Sequence, residues 1–173
     1  IAILSPWGNF PVNDDWDNQL QILAFQKGDI RIHSAIDAAF ILQPWIGYLW
    51  AILFGASFVS LRILTILVSI MLSFIIYKLV SPHLSRKETV FLLLSIFFNP
   101  IMLTSTLSFM TEIYFMFMAV LSYVYLDRYL KEENNKNLLL GSLFCGLSIL
   151  MRQLGFIVLI AFLITVIVKK KAS

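Results

Sequence analysis

Charge is scarce in this chain. Of its 173 residues 13% are charged and 60% hydrophobic, where a soluble domain carries about 25% charged and roughly 45–50% apolar residues. A soluble core of this length still exposes a large surface. A soluble enzyme, a disordered tail and a nucleic-acid binder are thereby excluded. Cysteine is nearly absent: Cys145, inside an apolar run, is the only one. That excludes an intrachain disulfide and a multi-thiolate metal site. Histidine is scarce too, with two residues, and His33 reads as an ordinary loop residue. There is no glycine-rich phosphate loop, no HExxH and no Ser-His-Asp arrangement. No internal repeat, low-complexity linker or recognisable signal peptide is present.

What remains is apolar sequence, with a mean hydropathy of +0.86. The chain reads as an integral membrane protein. It starts on Ile1 and ends on Lys169-Lys170-Lys171-Ala172-Ser173 directly after an apolar run, and is expected to be an amino-terminal portion truncated at both ends.

Residues 1–37 form the one extended polar stretch, with Asp14, Asp15, Asp17, Asp29 and Asp37 against Lys27 and Arg31. Crossing ~30 Å of hydrocarbon takes about 20 helical residues. Spans are expected at about 58–80, 89–107, 110–129, 137–151 and 154–168, with short runs extended by snorkelling flanks. With 1–37 outside, Lys78, Arg86, Lys87, Arg128, Lys131, Lys136 and Lys169 to Lys171 fall inside. Only Lys27, Arg31, Arg62 and Arg152 stay outside, in keeping with the positive-inside rule.

The run 38–61 is uncharged and could count as a further span, true or re-entrant. Moving 1–37 inside would then also satisfy the charge rule. Gln43-Pro44 and Gly47 interrupt the run, and Trp45, Tyr48 and Trp50 suit the headgroup zone. The preferred reading of 43–56 is a helix lying at the outer surface, with Pro44 near its first turn and Gly55 near its end. The expected fold is an all-α, multi-pass helical bundle. Residues 1–57 form an extracytoplasmic loop with a juxtamembrane helix, and 58–173 hold about five transmembrane helices. Asn99-Pro100 should bend one span, and Arg152-Gln153 should break a helix otherwise running from 137 to 168.

Asn13-Asp14-Asp15-Trp16-Asp17 precedes a helical pattern that puts Trp16, Leu20, Leu23 and Ala24 on one face, and Lys27-Gly28 should end it. The plainest role for these acids is helix capping: Asn13 or Asp14 as the cap, Asp15 and Asp17 at the positive end. A carboxylate fixed there could also act as a general base. Glu112 falls at the outer mouth between two spans, either marking the interface or serving function, as acids at membrane depth often do. Arg62 and Arg152 are outer cations that either snorkel or hold a lipid phosphate. The stretch 109–118 reads as helix packing, and Lys131-Glu132-Glu133-Asn134-Asn135-Lys136 as a solvated inner loop.

The order of these features resembles the amino-terminal half of the GT-C glycosyltransferases, which include protein O-mannosyltransferases and lipid A aminoarabinose transferases. An outer acidic pair is followed by a Pro-containing helix ending in Phe54-Gly55-Ala56-Ser57. Then come Ser60-Leu61-Arg62, Phe109-Met110-Thr111-Glu112 and Leu150-Met151-Arg152-Gln153. The resemblance implies a polyprenyl-phosphate sugar as donor and a lipid, glycan or protein hydroxyl as acceptor. It places the active site on the extracytoplasmic side of the plasma (cytoplasmic) membrane, among membrane lipids. It puts the base on Asp14 or Asp15, where many members have Asp-Glu, and the second-loop acid on Glu112, where many have Asp. Gln43-Pro44-Trp45 stands where the family has Pro-Pro-Leu.

A lipid phosphate leaves readily, so one base and one cation would suffice for a single inverting displacement, whereas a glycosidase usually needs two carboxylates flanking the bond. Asp14 or Asp15 is the expected base and Glu112 a positioning acid. Arg62, Arg152 and Gln153 are the expected substrate contacts. No resident cofactor is expected, and a divalent metal stays open. The rival readings are a transporter or lipid flippase, whose charges would sit nearer the midplane, and a non-catalytic membrane subunit.

Overall fold

The computed structural model describes residues 8–12, 15–32 and 42–172, and among them every regular element is helical. The short helix α1 (Asp15–Gln26) is followed by α2 (Leu42–Phe54), the long α3 (Phe58–Val80), α4 (Arg86–Phe97) and α5 (Pro100–Thr106). Then come α6 (Thr111–Glu132), α7 (Asn135–Met151), a 3-10 turn at Gln153–Gly155 and α8 (Phe156–Ala172).

Local chemistry sets these boundaries. Gly28 ends α1 at φ 82°, with the amide of Asp29 reaching back to the carbonyl of Ala24 at 3.0 Å, a closure that favours glycine at the left-handed position. The Ser57 hydroxyl accepts from the Ser60 amide and opens α3. Ser85 and Glu88 form a reciprocal capping box on α4, so two otherwise unpaired donors are satisfied. Asn99 caps α5 with Pro100 in its first turn. The expected bend there is real: α4 and α5 meet at 71°.

One helix among the described residues, α3, is long and apolar enough to cross a membrane. Its 23 residues reach about 35 Å at ~1.5 Å per residue. The expected span at 89–107 is instead the broken pair α4–α5, which passes the same test only if counted as one. The apolar helices Asn135–Met151 and Gln153–Val168 are shorter, and the break expected at Arg152-Gln153 separates them. Helix α2, at 13 residues, is roughly 20 Å long, too short to cross ~30 Å of hydrocarbon alone.

Helices α3 and α6 run parallel, with the Thr65 hydroxyl 3.0 Å from that of Tyr114 near their amino ends. Helix α7 returns against α6 at very close approach. The Ser122 hydroxyl donates to the carbonyl of Gly141 at 2.9 Å, and a Cβ on Gly141 would sit 2.6 Å from Leu126 Cδ2. The core gathers at the amino ends of α3 and α6, where Ile22, Leu61, Phe109, Ile113, Tyr114 and Met151 are fully or almost fully buried. The two helices before α3 thus clamp onto one end of the bundle.

Helix α1 turns a different face inward from the one its apolar spacing favours. Trp16, Leu20 and Leu23 are exposed, while Asp15, Asn18, Gln21, Ile22 and Phe25 are buried. The ring of Phe25 stacks on Trp45 of α2 at 4.5 Å; Asp15 and Asn18 bond to Phe109 in the segment before α6, and Gln21 Nε2 donates to the carbonyl of Arg31 at 2.9 Å.

Candidate active site

The site is built around the turn between α5 and α6. Its main chain is held from both sides. The amide of Phe109 donates to Asp15 Oδ1 at 2.7 Å. The Phe109 carbonyl accepts from Gln43 Nε2 at 2.8 Å and from Asn18 Nδ2 at 3.5 Å. One backbone unit therefore ties α1, α2 and the start of α6 together. Gly47 permits this closeness, since a Cβ there would lie 2.4 Å from Ile22 Cδ1 and 2.8 Å from Phe109 Cζ.

Asp15 is fully buried, and its Oδ2 lies 3.7 Å from Arg62 Nη2. Burial pushes its carboxyl up to about 6, because a low-dielectric surrounding disfavours the charged form. The Phe109 amide and the Arg62 charge oppose that rise without cancelling it.

Of the two readings expected for Arg62, snorkelling or holding a lipid phosphate, its burial is at odds with the first. Arg62 is 1% exposed. Its guanidinium donates to the carbonyl of Gly8 at 2.6 Å and to that of Phe10, and lies over the Phe10 ring at 5.3 Å. A buried cation whose two terminal nitrogens donate to main-chain carbonyls and which faces a carboxylate does not snorkel; it anchors the first loop to α3. A second link runs from Gln19 Nε2 to the carbonyl of Ala56 at 2.7 Å.

Glu112, in the first turn of α6, pairs with Arg152, the residue that ends α7. Their side chains are 27% and 30% exposed, so this is the accessible ion pair of the site. Gln153 follows, exposed, at the start of the 3-10 turn. Asp14 and His33 lie outside the described residues.

Four buried side-chain atoms among the described residues have no hydrogen-bond partner: Asp15 Oδ2, Gln43 Oε1, Arg62 Nε and Glu112 Oε2. All four belong to this cluster. Buried polar atoms are normally satisfied, so the concentration of these four in one place makes the cluster the candidate site. Gln43, Asn18 and Phe109 were not singled out as site residues by the sequence. Gln43 showed as a polar interruption of an apolar run and as a departure from the family's Pro-Pro-Leu, whereas Phe109 stood in a resemblance motif but its role, played through the main chain, left no side-chain signal. No group of three or more His, Cys, Asp or Glu side chains able to hold a metal occurs among the described residues.

Residues 38–173 match the family model described as dolichyl-phosphate-mannose-protein mannosyltransferase. No curated protein and no solved structure matches the chain. The matched region includes Arg62, Glu112, Arg152 and Gln153 and begins beyond Asp15.

Proposed function

The chain belongs to the dolichyl-phosphate-mannose-protein mannosyltransferase family, a group of membrane glycosyltransferases of GT-C type, and from that premise we propose the chemistry of its site. A sugar passes from a polyprenyl-phosphate carrier to an acceptor hydroxyl on the extracytoplasmic face, by one inverting displacement. The carrying observation is the cluster of unmet hydrogen bonds around Asp15, Gln43, Arg62 and Glu112.

Asp15 is the base in this reading. One carboxylate oxygen is fixed by the Phe109 amide, which leaves Oδ2 to take the acceptor proton as the hydroxyl oxygen attacks the anomeric carbon. A carboxyl poised at about 6 is ionised at neutral pH yet basic enough to draw a proton in the transition state. In this closed arrangement the acceptor reaches Oδ2 only if the first loop shifts. Arg152 takes the lipid phosphate as it leaves, with Glu112 orienting the guanidinium. Arg62 holds the Asp15 loop in place. The bundle is multi-pass, with α4–α5, α6, α7 and α8 joining α3 in the membrane, and the donor's apolar tail lies beside them.

The class of reaction is tested with the full-length protein in membranes and radiolabelled polyprenyl-phosphate sugars. Label is expected to move to an acceptor, and Arg152→Gln is expected to raise the donor KM at least tenfold, since a charge-assisted phosphate contact is lost. Transfer with an unchanged donor KM in Arg152→Gln would remove that residue from the phosphate site. Absence of transfer from every donor would overturn the enzymatic reading.

A further inference from the structure

A cavity lies between the carboxyl halves of α3 and α6, at the opposite end from Asp15. Arg62 and Lys78 are both on α3, and 16 residues of helix separate them by about 24 Å. The cavity holds about 430 Å³ and has an apolar wall that includes Phe74, Leu121 and Val124. Its rim carries Lys78, Arg128 and Lys131 against one acid, Asp127. Lys131 already neutralises Asp127 at 2.7 Å. Neither Lys78 nor Arg128 has an ion pair among the described residues. Each is laid over a ring instead, Lys78 over Phe74 at 4.6 Å and Arg128 over Tyr125 at 5.8 Å. Both neighbouring helix ends carry partial negative charge, so any attraction for an anion comes from these side chains.

We propose that this groove binds an anionic phospholipid, with the phosphate between Lys78 and Arg128 and an acyl chain along the apolar wall. Two preplaced cations at the end of an apolar groove match a molecule with a charged head and a hydrocarbon body, and basic pockets between membrane helices recognise such headgroups. The site is separate from sugar transfer and rests only on α3 and α6 standing in the membrane.

The test uses the full chain purified in detergent and titrated with phosphatidylglycerol or phosphatidylcholine, with bound lipid counted by native mass spectrometry. One phosphatidylglycerol per chain should be retained at least tenfold more tightly than phosphatidylcholine. Lys78→Gln and Arg128→Gln should each weaken it about fivefold, while the charge-conserving pair Lys78→Arg with Arg128→Lys retains it and controls for folding. Equal retention of both lipids, or binding indifferent to the glutamine variants, would show mere snorkelling and overturn the proposal. Displacement of the lipid by millimolar inorganic phosphate would assign the cations to a free anion and overturn it as well. Sugar transfer measured alongside should persist in these variants, so failure here leaves the active-site reading standing.

Discussion

Asp15 and Arg62 are two charges removed from solvent together, and their pairing makes stability depend on pH in a definite direction. The Asp15 carboxyl is raised from the usual carboxylate range to about 6 by burial. The folded protein therefore binds this proton more tightly than the unfolded chain does. Its contribution to stability is fully present below the unfolded value near ~3.9 and declines as pH rises through about 6, following the proton balance between the two states. Arg62→Met removes the opposing charge, so the decline should deepen. The variant should melt lower than wild type at every pH, because the links to Gly8 and Phe10 are lost, and the deficit should be larger at pH 8 than at pH 5. Thermal melts of the two proteins at both pH values check this; a deficit equal at both would mean that Asp15 does not sense Arg62. At this scale the sequence was half legible. The acids before α1 stood out by their clustering, as did Glu112 and Arg152 by their places at helix ends. The partners of Asp15 did not, because Phe109 is 94 residues away and contributes a backbone amide that any residue could supply. Arg62 looked like a surface cation because one sequence cannot show that a loop folds over it.

The helices show where local chemistry is enough and where it is not. Gly28 and Asn99-Pro100 act within a few residues of themselves, and the helix end and the bend they impose were expected; the Ser57 cap and the Ser85–Glu88 box are as local but were not singled out. The facing of α1 could not. Trp16, Leu20 and Leu23 follow an apolar period, and in water that stripe would turn inward. Here the polar face is the one with tertiary partners. Contact between α6 and α7 is likewise a matter of fit: Gly141 lies against the Leu126 side chain, and its position lets the Ser122 hydroxyl reach the Gly141 carbonyl. Gly141→Val should push these helices apart and cost about 1–3 kcal/mol, the usual range for overpacking. Thermal unfolding in detergent, monitored by circular dichroism, should show the lower midpoint; an unchanged midpoint would mean that α7 is free to shift.

Across the described residues, Asp15 and the Glu112–Arg152 pair lie at one end of α3 and α6, and the Lys78–Arg128 groove at the other. If these ends face opposite sides of the membrane, an impermeant thiol reagent will tell them apart. The sole cysteine, Cys145, is buried, and Cys145→Ala gives a clean background. Gln153→Cys should label in intact cells, and His83→Cys only after the membrane is opened. Labelling of both from one side would contradict the proposal that α3 and α6 cross the bilayer in parallel. The most direct measurement, however, is sugar transfer by the full-length protein from radiolabelled polyprenyl-phosphate donors, comparing wild type with Asp14→Asn and Asp15→Asn. An amide at position 15 can still accept from the Phe109 amide, so that variant should fold. Its transfer rate should fall by ~10²–10⁴-fold, the contribution of a general base, while Asp14→Asn retains activity. Full activity in a folded Asp15→Asn protein would contradict the assignment and leave Asp15 as an anchor for the first loop alone.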